Sequence, residues 1–283
     1  MPKPPEKSAP PAILRSEILS RVPGLLHGFS TRHGGRPGRN WDMKASAAAR
    51  AQFVRKLGAG TAPLLTLRQI HSDLVWQDPE PGRAGDALIS RRPGQLLGVR
   101  VADCTPILIV DPDHRAVAAV HAGWRGTAAR IAEKAVVEMR AAFGSDPARL
   151  LAAIGPGIRR CCYEVGPEVA EQFETCFVYA ADLFQSPEDD PVRSRYPMLF
   201  MTGAPPGHPR DPRWNRDEPV RLDLAEANRR QLIAAGILPA AVDVLPFCTG
   251  CRHDLLYSHR GGDSQRMVGA VGFFHKIERI RVV

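Results

Sequence analysis

Residues 116–126 read Ala-Val-Ala-Ala-Val-His-Ala-Gly-Trp-Arg-Gly. Ala116 to Val120 form an apolar run of strand length, and His121 ends it. Two glycines around Trp124 and Arg125 then break the pattern. A helix is expected over 127–143, with Thr127 as N-cap and Ile131, Ala135, Val136 and Met139 forming one apolar stripe. A strand that turns through glycine into an amphipathic helix is the working unit of an α/β protein.

Working outward, short apolar runs at 64–70, 86–89, 96–101, 106–110, 150–154, 241–246, 255–258 and 267–274 predict further strands. Residues 44–57, 167–177 and 222–235 have helical spacing. Strands and helices do not alternate strictly, so an α/β fold with a mixed sheet fits better than a doubly wound one. Residues 1–12 hold five prolines and are expected to form a disordered tail. Residues 186–219 hold eight prolines and many charges, which predicts a Pro-rich surface insertion in a domain running from 13 to 283.

Composition narrows the function. With 283 residues, 44% hydrophobic and 24% charged, the chain has the balance of a globular protein. No apolar stretch reaches the roughly 20 residues of a membrane span. Six cysteines without a signal peptide suggest reduced thiols and a cytoplasmic setting. The net charge of +8 permits an anionic ligand. Basic residues interleaved with stacking aromatics are missing, which argues against nucleic acid. No G-x-x-x-x-G-K-[ST] or G-x-G-x-x-G pattern is present, which disfavours nucleoside triphosphate and dinucleotide folds.

Three residues carry the chemistry: His71, Cys104 and His121. Each sits where an apolar run breaks into a polar loop. A thiolate and two imidazoles suit zinc with one position left open. The same trio could be a Cys104 nucleophile with a His121 base. Asp103 is a candidate to orient an imidazole from behind the trio. Arg125, and Arg32 in the glycine-rich loop 30–35, are candidate anion binders. Cys248 and Cys251 form a C-x-x-C pair, half a zinc site or a redox pair. The adjacent Cys161 and Cys162 read as a packing or turn feature.

Several motifs occur in one order: Gly28-Phe29-Ser30-Thr31-Arg32-His33-Gly34-Gly35, Arg68-Gln69-Ile70-His71-Ser72, Asp86-Ala87-Leu88-Ile89-Ser90 and Ala102-Asp103-Cys104-Thr105-Pro106. Val120-His121-Ala122-Gly123-Trp124-Arg125-Gly126, Ile154-Gly155-Pro156-Gly157-Ile158, Cys162-Tyr163-Glu164-Val165-Gly166, Leu222-Asp223-Leu224 and the stretch from Cys248 to Met267 follow. The set resembles the laccase-domain family, also called the multicopper polyphenol oxidase or purine nucleoside phosphorylase family and, in some bacteria, the peptidoglycan editing factor. The resemblance implies a single domain of mixed sheets sandwiched between helices, in α/β/β/α layers. It implies one zinc ion per chain held by His71, Cys104 and His121, which are then the catalytic residues. It also implies phosphorolysis of adenosine, inosine, guanosine and methylthioadenosine, and deamination of adenosine. Purine nucleosides and phosphate are thus the expected partners, for a monomer or homodimer. Three stretches depart from the family pattern: residues 36–43, the long insertion, and Ser258 to Asp263.

On this reading Arg32, Arg125 and Arg260 would bind phosphate. Asp103 or Glu164 would shuttle the proton. Nine histidines without a His-x-His pair argue against a multicopper laccase reaction. A single copper remains an alternative to zinc, because copper outcompetes zinc at many N/S sites. Two other classes stand beside this one. A cysteine hydrolase or amidase using Cys104 and His121 would suit peptidoglycan editing. A non-catalytic module would use only the basic surface.

Overall fold

In the computed structural model, residues 10–34, 41–185 and 220–274 are described. The expected tail over residues 1–9, the insertion at 186–219 and the departure at 36–40 lie outside them. In chain order the elements begin with β1 (Ile13–Leu14), α1 (Glu17–Ser20), β2 (Leu25–Ser30), α2 (Ala47–Leu57), β3 (Leu64–Thr66), β4 (Val75–Gln77) and β5 (Ala87–Ser90). Next come β6 (Leu96–Val101), β7 (Thr105–Asp111), β8 (Ala116–Ala122), α3 (Trp124–Ala128), α4 (Ile131–Phe143) and β9 (Leu151–Ile154). The chain continues with β10 (Glu164–Val165), α5 (Pro167–Cys176), α6 (Ala180–Leu183), β11 (Phe184–Gln185), β12 (Val220–Leu222), α7 (Leu224–Ala234), β13 (Val242–Val244) and β14 (Met267–Phe273).

Two large sheets stack. One has the order β1-β2-β14-β6-β3 and the other β13-β9-β7-β8-β5-β4. Both are mixed: β3 runs parallel to β6, β4 to β5 and β13 to β9, while the central pairs are antiparallel.

Side-chain alternation along the central strands explains the stacking. On β7, Leu108 and Val110 meet the other sheet through Leu97, Val99 and Val101 of β6. Ile107 and Ile109 point the opposite way, with Val120 of β8, onto Ile131, Ala135, Val136 and Met139 of α4. On the far side of the five-stranded sheet, Leu96, Val268 and Ala270 cover Phe53, Val54 and Leu57 of α2. The layers are therefore α/β/β/α within one domain. The small sheet β10-β12-β11 packs with α5 and α6 as a side cluster around Phe173, Phe177 and Leu183.

Two expectations need correction. The helix after His121 does not start with Thr127 as its cap. It begins at Trp124 with Gly123 as N-cap, and it is interrupted at Arg130, whose φ of 63° is left-handed. Thr127 is buried inside the first piece, where its hydroxyl accepts a hydrogen bond from Asn228 at 3.0 Å. Residues 255–258 are not a strand. They are buried, but their backbone closes locally, with Leu255 and Leu256 amides donating to the Arg252 carbonyl and the Leu255 carbonyl accepting from Arg32. Burial alone made this loop look like a strand.

Candidate functional site

The β7–β8 hairpin brings Cys104 and His121 together. Its register pairs Thr105 with Ala122 and Pro106 with His121, so Cys104, just before β7, meets the end of β8. His71 comes from the connection between β3 and β4. Strand β5 runs antiparallel to β8 with Ala87 opposite Val120, and this puts Asp86 beside His121.

Asp86 organises the site. It is fully buried, and its carboxylate accepts hydrogen bonds from the amides of Ile70 (3.2 Å), His71 (3.0 Å) and Ser72 (2.6 Å) and from the Ser72 hydroxyl (2.7 Å). Nδ1 of His121 donates to it at 2.8 Å. Burial raises the Asp86 carboxyl, but the hydrogen bonds from His121 and Ser72 outweigh it and hold the group down at about 2. One carboxylate thus ties the His71 loop to the His121 strand. It also stabilises His71 in the left-handed region, at φ 59°, which non-glycine residues seldom adopt.

With Nδ1 of His121 occupied, its Nε2 is left for the site. Nε2 of His71 lies 3.8 Å from Cys104 Sγ, and the two rings are 5.0 Å apart. The three ligand-type atoms all lie within 4.8 Å of one another. Exposure falls from His71 through half-buried Cys104 to His121, so the site opens to solvent on the His71 side. A Cβ on Gly123 would come 3.0 Å from the His71 ring and 3.2 Å from Cys104 Sγ. Glycine there lets α3 start directly beneath the trio.

Burial pushes the Cys104 thiol up, yet the charge on His121 and hydrogen bonds from both imidazoles bring it down to about 6. Burial lowers His121, but Cys104 and Asp86 carry it to about 9. A thiolate, a buried imidazole oriented through Nδ1 by a carboxylate, and a second imidazole are a donor set that fits a tetrahedral zinc with one open position.

The other expected residues divide. Burial pushes Tyr163 up to about 12, and the charges of Cys104, Arg260, Asp103 and Arg125 all act on its phenol, so both arginines share the neighbourhood of the trio. Arg125 stacks on Trp124 at 4.3 Å and has no carboxylate partner among the described residues. Arg260 donates through its guanidinium to the Glu164 carbonyl at 2.9 Å and lies over the Tyr163 ring. Arg32 is engaged elsewhere, paired with Asp263 at 3.1 Å and stacked on Tyr257.

Asp103 does not orient an imidazole. It accepts from the Thr249 hydroxyl at 2.6 Å and the Arg260 amide at 2.7 Å, with its own φ at 86°. The orienting role belongs to Asp86, immediately before the buried strand β5, whose first three residues Ala87, Leu88 and Ile89 are apolar. A charge at that position was the available signal in the sequence. Glu164, the exposed residue of β10, turns its carboxylate to Arg221 at 3.6 Å. Cys161 and Cys162 do lie in a turn, closed by the Cys162 amide on the Arg159 carbonyl at 2.8 Å, and Cys162 packs against the side cluster, but the sequence did not show that both also meet Cys248 and Cys251.

The family described as multi-copper polyphenol oxidoreductase laccase matches residues 26–274. An adenosine deaminase, RL5, from an unknown prokaryotic organism is 34% identical over 259 residues, covering 83% of this chain and 88% of its own. A purine nucleoside phosphorylase of Deinococcus radiodurans is 39% identical over 168 residues, 55% of this chain and 66% of that protein's length. The crystal structure of the Bacillus licheniformis hypothetical protein YfiH superposes with a TM-score of 0.75 at 26% identity, over 93% of this chain and 97% of that one. This chain belongs to the multi-copper polyphenol oxidoreductase laccase family.

Proposed function

We propose that this chain is a zinc-dependent purine nucleoside enzyme, which phosphorolyses adenosine, inosine, guanosine and methylthioadenosine and deaminates adenosine. The observation that carries the reading is the convergence of His71, Cys104 and His121 on one point behind which Asp86 holds His121. Relatives named adenosine deaminase and purine nucleoside phosphorylase support it. Zinc, when bound, would supply Lewis acidity strong enough to bring the pKa of water down to about 7.

The chain's own residues account for the rest. Asp86 holds the proton on His121 Nδ1 and keeps Nε2 directed into the site. Arg125 and Arg260 flank Tyr163 and present guanidinium groups that match a phosphate. In phosphorolysis they orient phosphate as its oxygen attacks the anomeric carbon and the bond to the purine nitrogen breaks. In deamination water adds at C6 of adenine and ammonia leaves. Tyr163 keeps its proton near neutral pH and can donate a hydrogen bond to either substrate. A multicopper reaction is disfavoured, because the trio offers ligands for one metal and the chain has no His-x-His pair.

The purified chain, incubated with adenosine with and without phosphate, should yield adenine with phosphate and inosine without it. No inosine, adenine or hypoxanthine above a Cys104→Ala control would overturn the proposal.

The lowered Cys104 thiol beside a raised His121 also supports a second reading, a cysteine hydrolase or amidase of the kind peptidoglycan editing requires. Metal dependence separates the two. Activity lost to a chelator and restored by zinc supports the nucleoside enzyme, whereas hydrolase activity indifferent to the chelator supports the other.

A further inference from the structure

Four cysteines take no part in the site above. Cys161 and Cys162 follow the Gly155-Pro156-Gly157 turn, and Cys248 and Cys251 bracket Thr249-Gly250. Cys161 and Cys251 stand 90 positions apart in the chain, yet the sulfurs of the two pairs meet. Sγ of Cys251 lies 3.4 Å from both Cys161 Sγ and Cys162 Sγ, and all four sulfurs fall within 4.8 Å of one another.

The backbone is built to hold them there. Gly157 and Cys248 form a parallel bridge, and the Thr249 amide donates to the Gly157 carbonyl at 3.1 Å. The Arg159 amide points at Cys248 Sγ from 3.4 Å, and its guanidinium donates to the carbonyls of Gly155 (3.0 Å) and Leu245 (2.7 Å). A Cβ on Gly250 would sit 2.6 Å from Cys162 Cβ and 2.9 Å from its sulfur, so only glycine lets this turn close over Cys162.

We propose that Cys161, Cys162, Cys248 and Cys251 form a second metal site, which takes one zinc ion in a closed four-thiolate shell. Zinc–sulfur bonds of about 2.3 Å in a tetrahedron set the sulfurs about 3.8 Å apart, inside the observed spread. One disulfide would leave two sulfurs idle and two disulfides would each need a pair at about 2.05 Å, whereas Cys251 stands 3.4 Å from both Cys161 and Cys162 and one tetrahedral ion engages all four sulfurs. A closed shell has no position for substrate, so the role is structural. The ion staples the loop carrying Tyr163 to the loop carrying Thr249 and Arg260, which together clasp Asp103 next to Cys104. Cys161 and Cys251 are exposed, so the site can be loaded from solvent.

The test is a metal count on the full chain, purified under reducing conditions, loaded with zinc and desalted. Two zinc ions per chain are expected, falling to one in Cys161→Ser/Cys251→Ser and to one in Cys104→Ala. Should the double variant fail to fold, cobalt-loaded Cys104→Ala provides the second readout. Its spectrum should show the intense visible bands and thiolate charge transfer of tetrahedral cobalt with four sulfurs. A single zinc in the wild type that Cys104→Ala removes would overturn the proposal. So would two ions persisting in the double variant, or a Cys161–Cys251 or Cys162–Cys251 disulfide in the reduced protein's peptide map. Because this site is read in Cys104→Ala, the outcome is separate from whether nucleosides turn over.

Discussion

Asp86 concentrates five hydrogen bonds on one carboxylate that is buried and held at about 2. Replacing it by asparagine keeps the size but removes the charge and turns one acceptor into a donor. The His71 loop and the His121 imidazole would then lose their common anchor. Changes to such supporting groups typically cost about 10–100-fold in metal affinity. Asp86→Asn should therefore weaken zinc binding at the trio by that order in a competition titration with a chromophoric chelator. Wild-type affinity would show that Asp86 does not orient the ligands. Asp103, by contrast, bonds to Thr249 and Arg260, and its substitution is expected to act on the loops around the site.

At the scale of elements, the long strands β6, β7 and β8 were legible because each is an apolar run buried on both faces. Strand β2 was not, because His27 and Gly28 interrupt its apolar run, and neither were the two-residue β1 and the four-residue α1. Strand β1 pairs with β2, but it and α1 are too short for periodicity to register. What docks them is tertiary: the Ser16 hydroxyl donates to Asp243 at 2.6 Å, and the Ser16 amide donates to Nε2 of buried His27 at 3.1 Å. His27 must be neutral at Nε2 to accept that bond. Burial, then the Arg15 charge, lower its pKa from 6.5 to about 4. The unfolded chain binds the proton first, so this contribution to stability is complete above pH 6.5 and is lost as pH falls through about 4. At about 1.4 kcal/mol per pH unit, roughly 3 kcal/mol disappears by pH 4. Urea unfolding between pH 7 and pH 4 should show His27→Gln losing less stability than the wild type by about that amount. Parallel losses in the two proteins would exclude His27 as the acid-sensitive group.

On the scale of the whole molecule, the net charge of +8 creates a long-range attraction for anions. Raising ionic strength from about 0.1 M to about 1 M shortens the screening length from about 10 Å to about 3 Å. If phosphate is a substrate, kcat/KM for phosphate should fall severalfold over that range with kcat little changed. A salt-independent kcat/KM would mean that phosphate is captured by local contacts alone. None of the helices in the described residues is long and apolar enough to cross a membrane.

Apolar periodicity and residue chemistry are local properties, and they made the α/β class, most of the long strands and the trio His71, Cys104 and His121 legible, although 255–258 shows that a buried apolar run need not be a strand. Which acid stands behind His121, and that two distant cysteine pairs share one point, came from the folded molecule. Those facts depend on the register of β5 against β8 and on the bridge between Gly157 and Cys248, which join residues far apart in the chain. Pairing of that kind is set by burial and hydrogen bonding across the whole molecule, and no local pattern encodes it.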